Sequence, residues 1–177
     1  MAPTASSRNV YLIGPMGSGK TAIGRQLAKS LRLAFHDSDN EIERRTGVDI
    51  PYIFEREGEA GFREREREVI EALTQLDDIV LATGGGAVLL PENRARLAER
   101  GRVVYLKTGV EQQLERTRHT QHRPLLWTDD PEAKLRELML QRAPLYESIA
   151  QITVVTDGRH VRAVTDEILA RLKEAAA

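Results

Sequence analysis

The chain has 177 residues, with 26 lysines and arginines against 27 aspartates and glutamates, and no cysteine. That length supports one domain with a full core and is short for two. The formal charge of −1 argues against a dedicated nucleic-acid binder, and the missing thiols exclude disulfides and thiolate metal sites.

Residues 1–9 are polar and lack the apolar core of a signal peptide, and no apolar run nears membrane-spanning length. A soluble cytoplasmic protein is expected, a monomer without nucleic-acid or membrane partners. Residues 1–8 and Ala175–Ala177 should be loose ends. The first apolar run, Val10–Ile13, reads as a buried strand. It leads into Gly14-Pro15-Met16-Gly17-Ser18-Gly19-Lys20-Thr21, which fits the phosphate-loop pattern of glycine, four residues, glycine, lysine and a hydroxyl residue. Glycines let the backbone wrap an anion, so that successive N–H groups and the positive end of the next helix converge on phosphate. Lys20 supplies a mobile ammonium for the outer phosphates and Thr21 a hydroxyl for Mg²⁺. The helix follows at once, with Ile23, Leu27 and Leu31 at helical spacing.

A second strand, 34–36, ends in Asp37-Ser38-Asp39, where Ser38 and Glu41 have capping-box spacing for a helix to about Arg45. Asp49 and Pro51 start a short helix through Phe54. Gly58 and Gly61 should break the pattern before a long charged helix, 62–76, with an apolar stripe of Phe62, Val69, Leu73 and Leu76. The third strand, 79–82, runs into Thr83-Gly84-Gly85-Gly86. A helix follows over 91–100, closed by Gly101, then a strand over 103–106 and a helix over 110–117. Residues 118–130 are polar, without periodicity, and contain Pro124. A helix over 131–149 should be kinked or divided by Pro144. Strand 152–155 and helix 161–172 complete the chain. Strands alternating with helices imply an α/β fold, a parallel sheet of five strands between two helical layers. Ligands bind beyond the carboxyl ends of such strands, which gathers Gly14 to Thr21, Asp37 to Asp39, Thr83 to Gly86 and Arg159 on one rim.

A phosphate loop alone does not choose a function. No acid stands at the end of the third strand, where motor ATPases place one, so Asp37 and Asp39 become the candidates for metal and acceptor chemistry. One would sit near Mg²⁺ and the other hold an acceptor hydroxyl. No Asn-Lys-x-Asp run is present, which counts against a GTPase. Arg65 and Arg67 read as a solvated helix face, whereas Arg63 shares its stripe with Ile70 and turns inward, able to fork onto a carboxylate. Spacing leaves Arg142 evenly divided between surface and cleft. Arg116, Arg118 and Arg123 flank or occupy a polar arm of the kind a kinase lid requires, while His119 and His122 read as solvated. The residues alone indicate a kinase of a small anionic polyol.

The segments Gly14 to Thr21, Asp37-Ser38-Asp39, Gly61-Phe62-Arg63, Thr83 to Val88, Arg123-Pro124-Leu125-Leu126 and Arg142-Ala143-Pro144-Leu145-Tyr146 together resemble shikimate kinase, in order and spacing, from about Asn9 to Leu172. The resemblance implies a P-loop kinase of the nucleoside-monophosphate-kinase-like fold, with strand order 2-3-1-4-5 and a mobile lid near 118–130. It implies transfer of the γ-phosphoryl of ATP to the 3-hydroxyl of shikimate. By matching position, Gly14, Met16, Gly17, Ser18, Gly19, Lys20 and Thr21 hold the nucleotide, Thr21 and Asp37 serve Mg²⁺, and Asp39 is acceptor ligand and base. Lys20, Asp39 and Arg123 form the catalytic set. Arg63 and Arg142 grip the shikimate carboxylate, Gly84, Gly85 and Gly86 approach its ring, and Phe54 and Phe62 wall the pocket. Arg116 and Arg159 flank the adenine, near Val161 where some family members have proline. Competing readings are another small-molecule kinase, such as a gluconate kinase, and a non-catalytic ATP-gated binding module.

Overall fold

In the computed structural model, which describes residues 8–120 and 122–176, five strands form one parallel sheet. They are β1 (Val10–Ile13), β2 (Ala34–Asp37), β3 (Ile79–Ala82), β4 (Arg102–Lys107) and β5 (Ile152–Val155), in the order 2-3-1-4-5. The inner strands are apolar at nearly every position because both faces are covered. Along β1, Val10 and Leu12 enter a core shared with α1 (Lys20–Leu31) and α7 (Val161–Ala176). Tyr11 and Ile13 enter the opposite core, shared with α2 (Ser38–Thr46), α3 (Ile50–Leu73), α4 (Pro91–Arg100) and α6 (Pro131–Ile149). The two-residue alternation repeats at Ile79, Val80 and Leu81 and at Val103 to Leu106. Helix α5 (Val110–Thr117) lies beyond β4. No helix among the described residues is long and apolar enough to cross a membrane.

β5 is an edge strand, with Ile152 and Val154 buried and Thr153 and Val155 open. Its outer carbonyls are occupied by arginines, Arg171 Nη1 on Thr153 O at 2.6 Å and Arg159 Nη1 on Val155 O at 2.9 Å. That arrangement denies the edge to another strand.

Several local expectations are corrected. The cap of α2 is Asp37, not Ser38. Its carboxylate accepts from Asp39 N at 2.9 Å and Asn40 N at 3.1 Å, and an anion suits the positive end of a helix better than a hydroxyl. Glu41 pairs instead with Arg44 and Arg45. Only Gly58 breaks the pattern of α3. It takes φ 72°, ψ −178°, and helix resumes before Gly61, which lies inside it. The helix stops at Leu73, so Leu76 falls outside and is exposed. Pro144 does not divide α6: the carbonyl left without a donor is that of the strongly exposed Leu140, where water can serve it. Ala175 and Ala176 are helical, and Arg8 is tied to Leu31 O at 3.0 Å, so neither is loose. Residues 1–7 and 177, also expected to be loose, lie outside the described residues.

Candidate active site

The carboxyl ends of β1, β2 and β3 open onto two adjoining clefts. The larger, about 730 Å³, is lined by Gly17, Gly19, Lys20, Thr21 and Asp37. Gly17 and Gly19 have φ of 77° and 89°, the left-handed region that glycine enters without cost, and this curls the loop into the head of α1. Lys20 Nζ donates to Gly14 O at 2.6 Å and Pro15 O at 2.8 Å, so the ammonium is parked on the loop's own carbonyls. Burial, helped by Arg123, pushes its pKa down to about 7. Arg116 Nη1 donates to Gly17 O at 2.9 Å from the far wall. Thr21 Oγ1 donates to Asp37 Oδ2 at 2.9 Å. A hydroxyl and a carboxylate side by side are hard oxygen donors that fit Mg²⁺, an ion that takes most of its ligands from water and phosphate. No larger acid or histidine cluster suited to a metal exists among the described residues.

The second cleft, about 440 Å³, lies beyond the glycine triplet and is walled by Phe54 and Phe62, whose ring centroids are 4.9 Å apart. Asp39 stands between the two clefts and lines both. Its Oδ1 is buried without a hydrogen-bond partner among the described residues. Burial pushes its carboxyl up to about 7, and the nearby Glu66 adds to the rise. Arg63 Nη1 donates to Glu66 Oε1 at 2.9 Å and Nη2 to Glu59 Oε1 at 3.3 Å, with the guanidinium 5.1 Å from the Phe62 ring. Arg142 is 3% exposed, and none of the ion pairs among the described residues includes it. Burial lowers its pKa, the usual penalty for a desolvated cation.

The glycine triplet is where these groups converge, and at Gly84 and Gly86 a side chain would collide with them. A Cβ on Gly84 would lie 2.8 Å from Asp39 Oδ1 and 2.9 Å from Glu66 Oε2, and one on Gly85 would lie 3.5 Å from Arg142 Nη1. On Gly86 it would lie 2.4 Å from both terminal nitrogens of Arg63. Gly86 has φ −97°, ψ 8°, which alanine can adopt, so Gly86→Ala should fold and push the guanidinium aside, with some loss of stability where this loosens its bond to buried Glu66. Losing one charge-assisted contact is worth about 1.5–3 kcal/mol. The variant should therefore weaken binding of an anionic acceptor roughly ten- to hundredfold, with nucleotide affinity unchanged. Calorimetric titration of each ligand checks this.

Most residues singled out from sequence come together here. Arg123, in the arm before the short helical turn Pro124–Leu126, lines both clefts. Met16 faces the acceptor cleft rather than the phosphate cleft, and its side chain joins Leu135 and Leu138. Arg159 lines neither cleft: it is held on Val155 O and, at 3.0 Å, on Glu167. His119 and His122 are exposed. Glu66, completely buried, was not singled out, although it stands three residues after Arg63 on the face that Val69 and Ile70 bury. Ser38, expected as a cap, instead accepts from Gly84 N at 3.0 Å, tying the start of α2 to the triplet.

Comparison with known proteins agrees with this geometry. A family model described as shikimate kinase matches residues 16–173. A shikimate kinase of Thioalkalivibrio sulfidiphilus is 60% identical over 160 residues, covering 90% of this chain and 84% of that protein. One from Pseudomonas syringae is 58% identical, covering 94% of this chain and 97% of the relative. A solved structure of shikimate kinase from Acinetobacter baumannii in complex with shikimate superposes with a TM-score of 0.94 at 50% identity, covering 96% and 95% of the two chains.

Proposed function

The chain belongs to the shikimate kinase family, and on that premise we propose how its own residues carry the transfer of the ATP γ-phosphoryl to the 3-hydroxyl of shikimate. The observation that carries the assignment is Arg142. A buried guanidinium without an ion-pair partner is costly, and an acceptor carboxylate between it and Arg63 repays that cost. The tilted Phe54 and Phe62 rings offer an apolar wall to a flat alicyclic ring, and Asp39 offers oxygen acceptors to adjacent hydroxyls.

In this reading Asp39 takes the proton of the 3-hydroxyl as that oxygen forms its bond to the γ-phosphorus. The bond from the γ-phosphorus to the β-bridging oxygen breaks, and ADP leaves. Lys20 swings from the loop carbonyls to the outer phosphate oxygens. Arg123, bordering both clefts, offsets the charge spread over the moving phosphoryl group. The arm that bears it closes over the site and excludes water. Thr21 and Asp37 would hold Mg²⁺, which neutralises phosphate charge when bound. Arg116 and Arg159 flank the adenine, the latter after leaving Glu167. The protein works as a single-domain monomer in the cytoplasm.

Coupled measurement of ADP release tests the function. Release should require shikimate and fail with gluconate or AMP; equal rates with gluconate would point to the rival kinase. ATP binding without release on adding shikimate would point to a binding module.

The state of Asp39 makes acceptor binding depend on pH. Its carboxyl is raised to about 7, so it loses acceptor capacity as pH falls below that value. Shikimate affinity of the nucleotide-free protein should therefore drop about two- to fivefold on going from pH 8 to 5.5 and then level off, because the protonated carboxyl keeps one acceptor oxygen. Calorimetry at several pH values checks it, and constant affinity would remove Asp39 from the acceptor's hydroxyls.

A further inference from the structure

One hydrogen bond behind the glycine triplet decides which way its backbone donors point, and its donor has no part in the chemistry above. Tyr146 sits one turn after Arg142 on α6, fully buried, its ring stacked on Tyr105 with centroids 5.0 Å apart. Its hydroxyl donates to the Gly85 carbonyl. Burial raises its pKa well above the ordinary value, outweighing the pull of Arg142, so the phenol keeps its proton and remains a donor.

The other polar groups of the triplet are mostly spoken for. Gly84 O accepts from Ala87 N at 3.1 Å, Gly86 O accepts from Leu89 N at 3.1 Å, and Gly84 N donates to Ser38 Oγ. The N–H groups of Gly85 and Gly86 are left without an acceptor among the described residues, and both glycines line the acceptor cleft. A trans peptide points its carbonyl and its N–H in opposite directions. With Gly85 O drawn back toward Tyr146, which is not part of the cleft wall, the Gly86 N–H must face forward.

We propose that Tyr146 is a positioning residue for acceptor recognition: by anchoring the Gly85 carbonyl it aims the Gly86 N–H at the acceptor carboxylate, as a third donor beside Arg63 and Arg142. This rests on the acceptor site described above. Without the hydroxyl, the 85–86 peptide is free to rotate, and its carbonyl can meet the carboxylate in place of its N–H.

Tyr146→Phe keeps the stacked ring and removes the hydroxyl, which also meets Arg142, so the Gly86 amide is the readout that reports on the peptide itself. The variant should lower kcat/KM for shikimate about tenfold through KM, with kcat and the KM for ATP within about twofold. For the analogue whose carboxylate is replaced by hydroxymethyl, kcat/KM of the variant should stay within about twofold of the unsubstituted protein's. In ¹⁵N–¹H spectra the Gly86 amide should move downfield when shikimate is added to the unsubstituted protein and not in the variant. Turnover of shikimate by the unsubstituted protein tests the acceptor reading separately. If that turnover holds, an unchanged KM in Tyr146→Phe overturns the positioning role, as does an equal loss with both acceptors, and as does a raised KM with the Gly86 shift retained, which would place the effect on Arg142.

Discussion

Replacing Asp39 with asparagine should cut kcat by about 10²-fold or more while leaving the protein folded. Asparagine has the size of aspartate and can still accept a hydrogen bond from an acceptor hydroxyl, so KM for shikimate should change much less than kcat. What it cannot do is take the proton. Stability gives an independent check. The Asp39 carboxyl titrates in the folded protein near 7, well above its value in an unfolded chain. The folded state therefore holds a proton that the unfolded chain has lost across the interval between those values, and stability falls as pH rises through it. Above 7 the wild type bears the full cost of a desolvated carboxylate, aggravated by Glu66, and Asp39→Asn does not. The variant's melting temperature at pH 8 should equal or exceed that of the wild type. Near-normal kcat would leave Asp39 an orienting group only.

Arg142→Met should raise KM for shikimate about a hundredfold, with KM for ATP unchanged and no loss of stability. Methionine keeps the volume of the stem and deletes the charge. Because Arg142 has no ion pair within the described fold, its removal strands no carboxylate. Arg63 is the instructive contrast. Its guanidinium is the hydrogen-bond partner of Glu66, which is completely buried. Arg63→Ala therefore leaves that acid uncompensated and costs stability as well as binding. Kinetics and melting curves on both variants distinguish a cation kept for ligand from one shared between ligand and fold. Equal losses for ATP and shikimate in Arg142→Met would contradict the carboxylate clamp.

Features carried by local spacing were legible in the chain. The phosphate loop, the five strands and the helices starting at Pro91 and Pro131 each follow from a few neighbouring residues, and the sheet order followed from resemblance. What spacing could not resolve was competition between equivalent groups. Asp37, Ser38 and Asp39 can all cap a helix, and Asp37 took the role because Ser38 found Gly84 across the sheet. Glu66 looks like Glu64 and Glu68 until the helix is seated, when its face proves to be the buried one. Arg142 was undecided because its burial depends on how a proline-bearing helix is rotated. Tyr146 gave no sign of its partner, because a contact spanning 61 residues leaves no local pattern.

Transfer requires one arrangement in space: an ATP tail at the head of α1, facing a hydroxyl whose ring is tethered through its carboxylate by two guanidinium groups. A crystal structure with shikimate, Mg²⁺ and a non-hydrolysable ATP analogue tests it most directly. The carboxylate should lie between Arg63 and Arg142, with the 3-hydroxyl within hydrogen-bonding distance of Asp39 and pointing at the γ-phosphorus. Shikimate lodged elsewhere, with both arginines facing solvent, would contradict it.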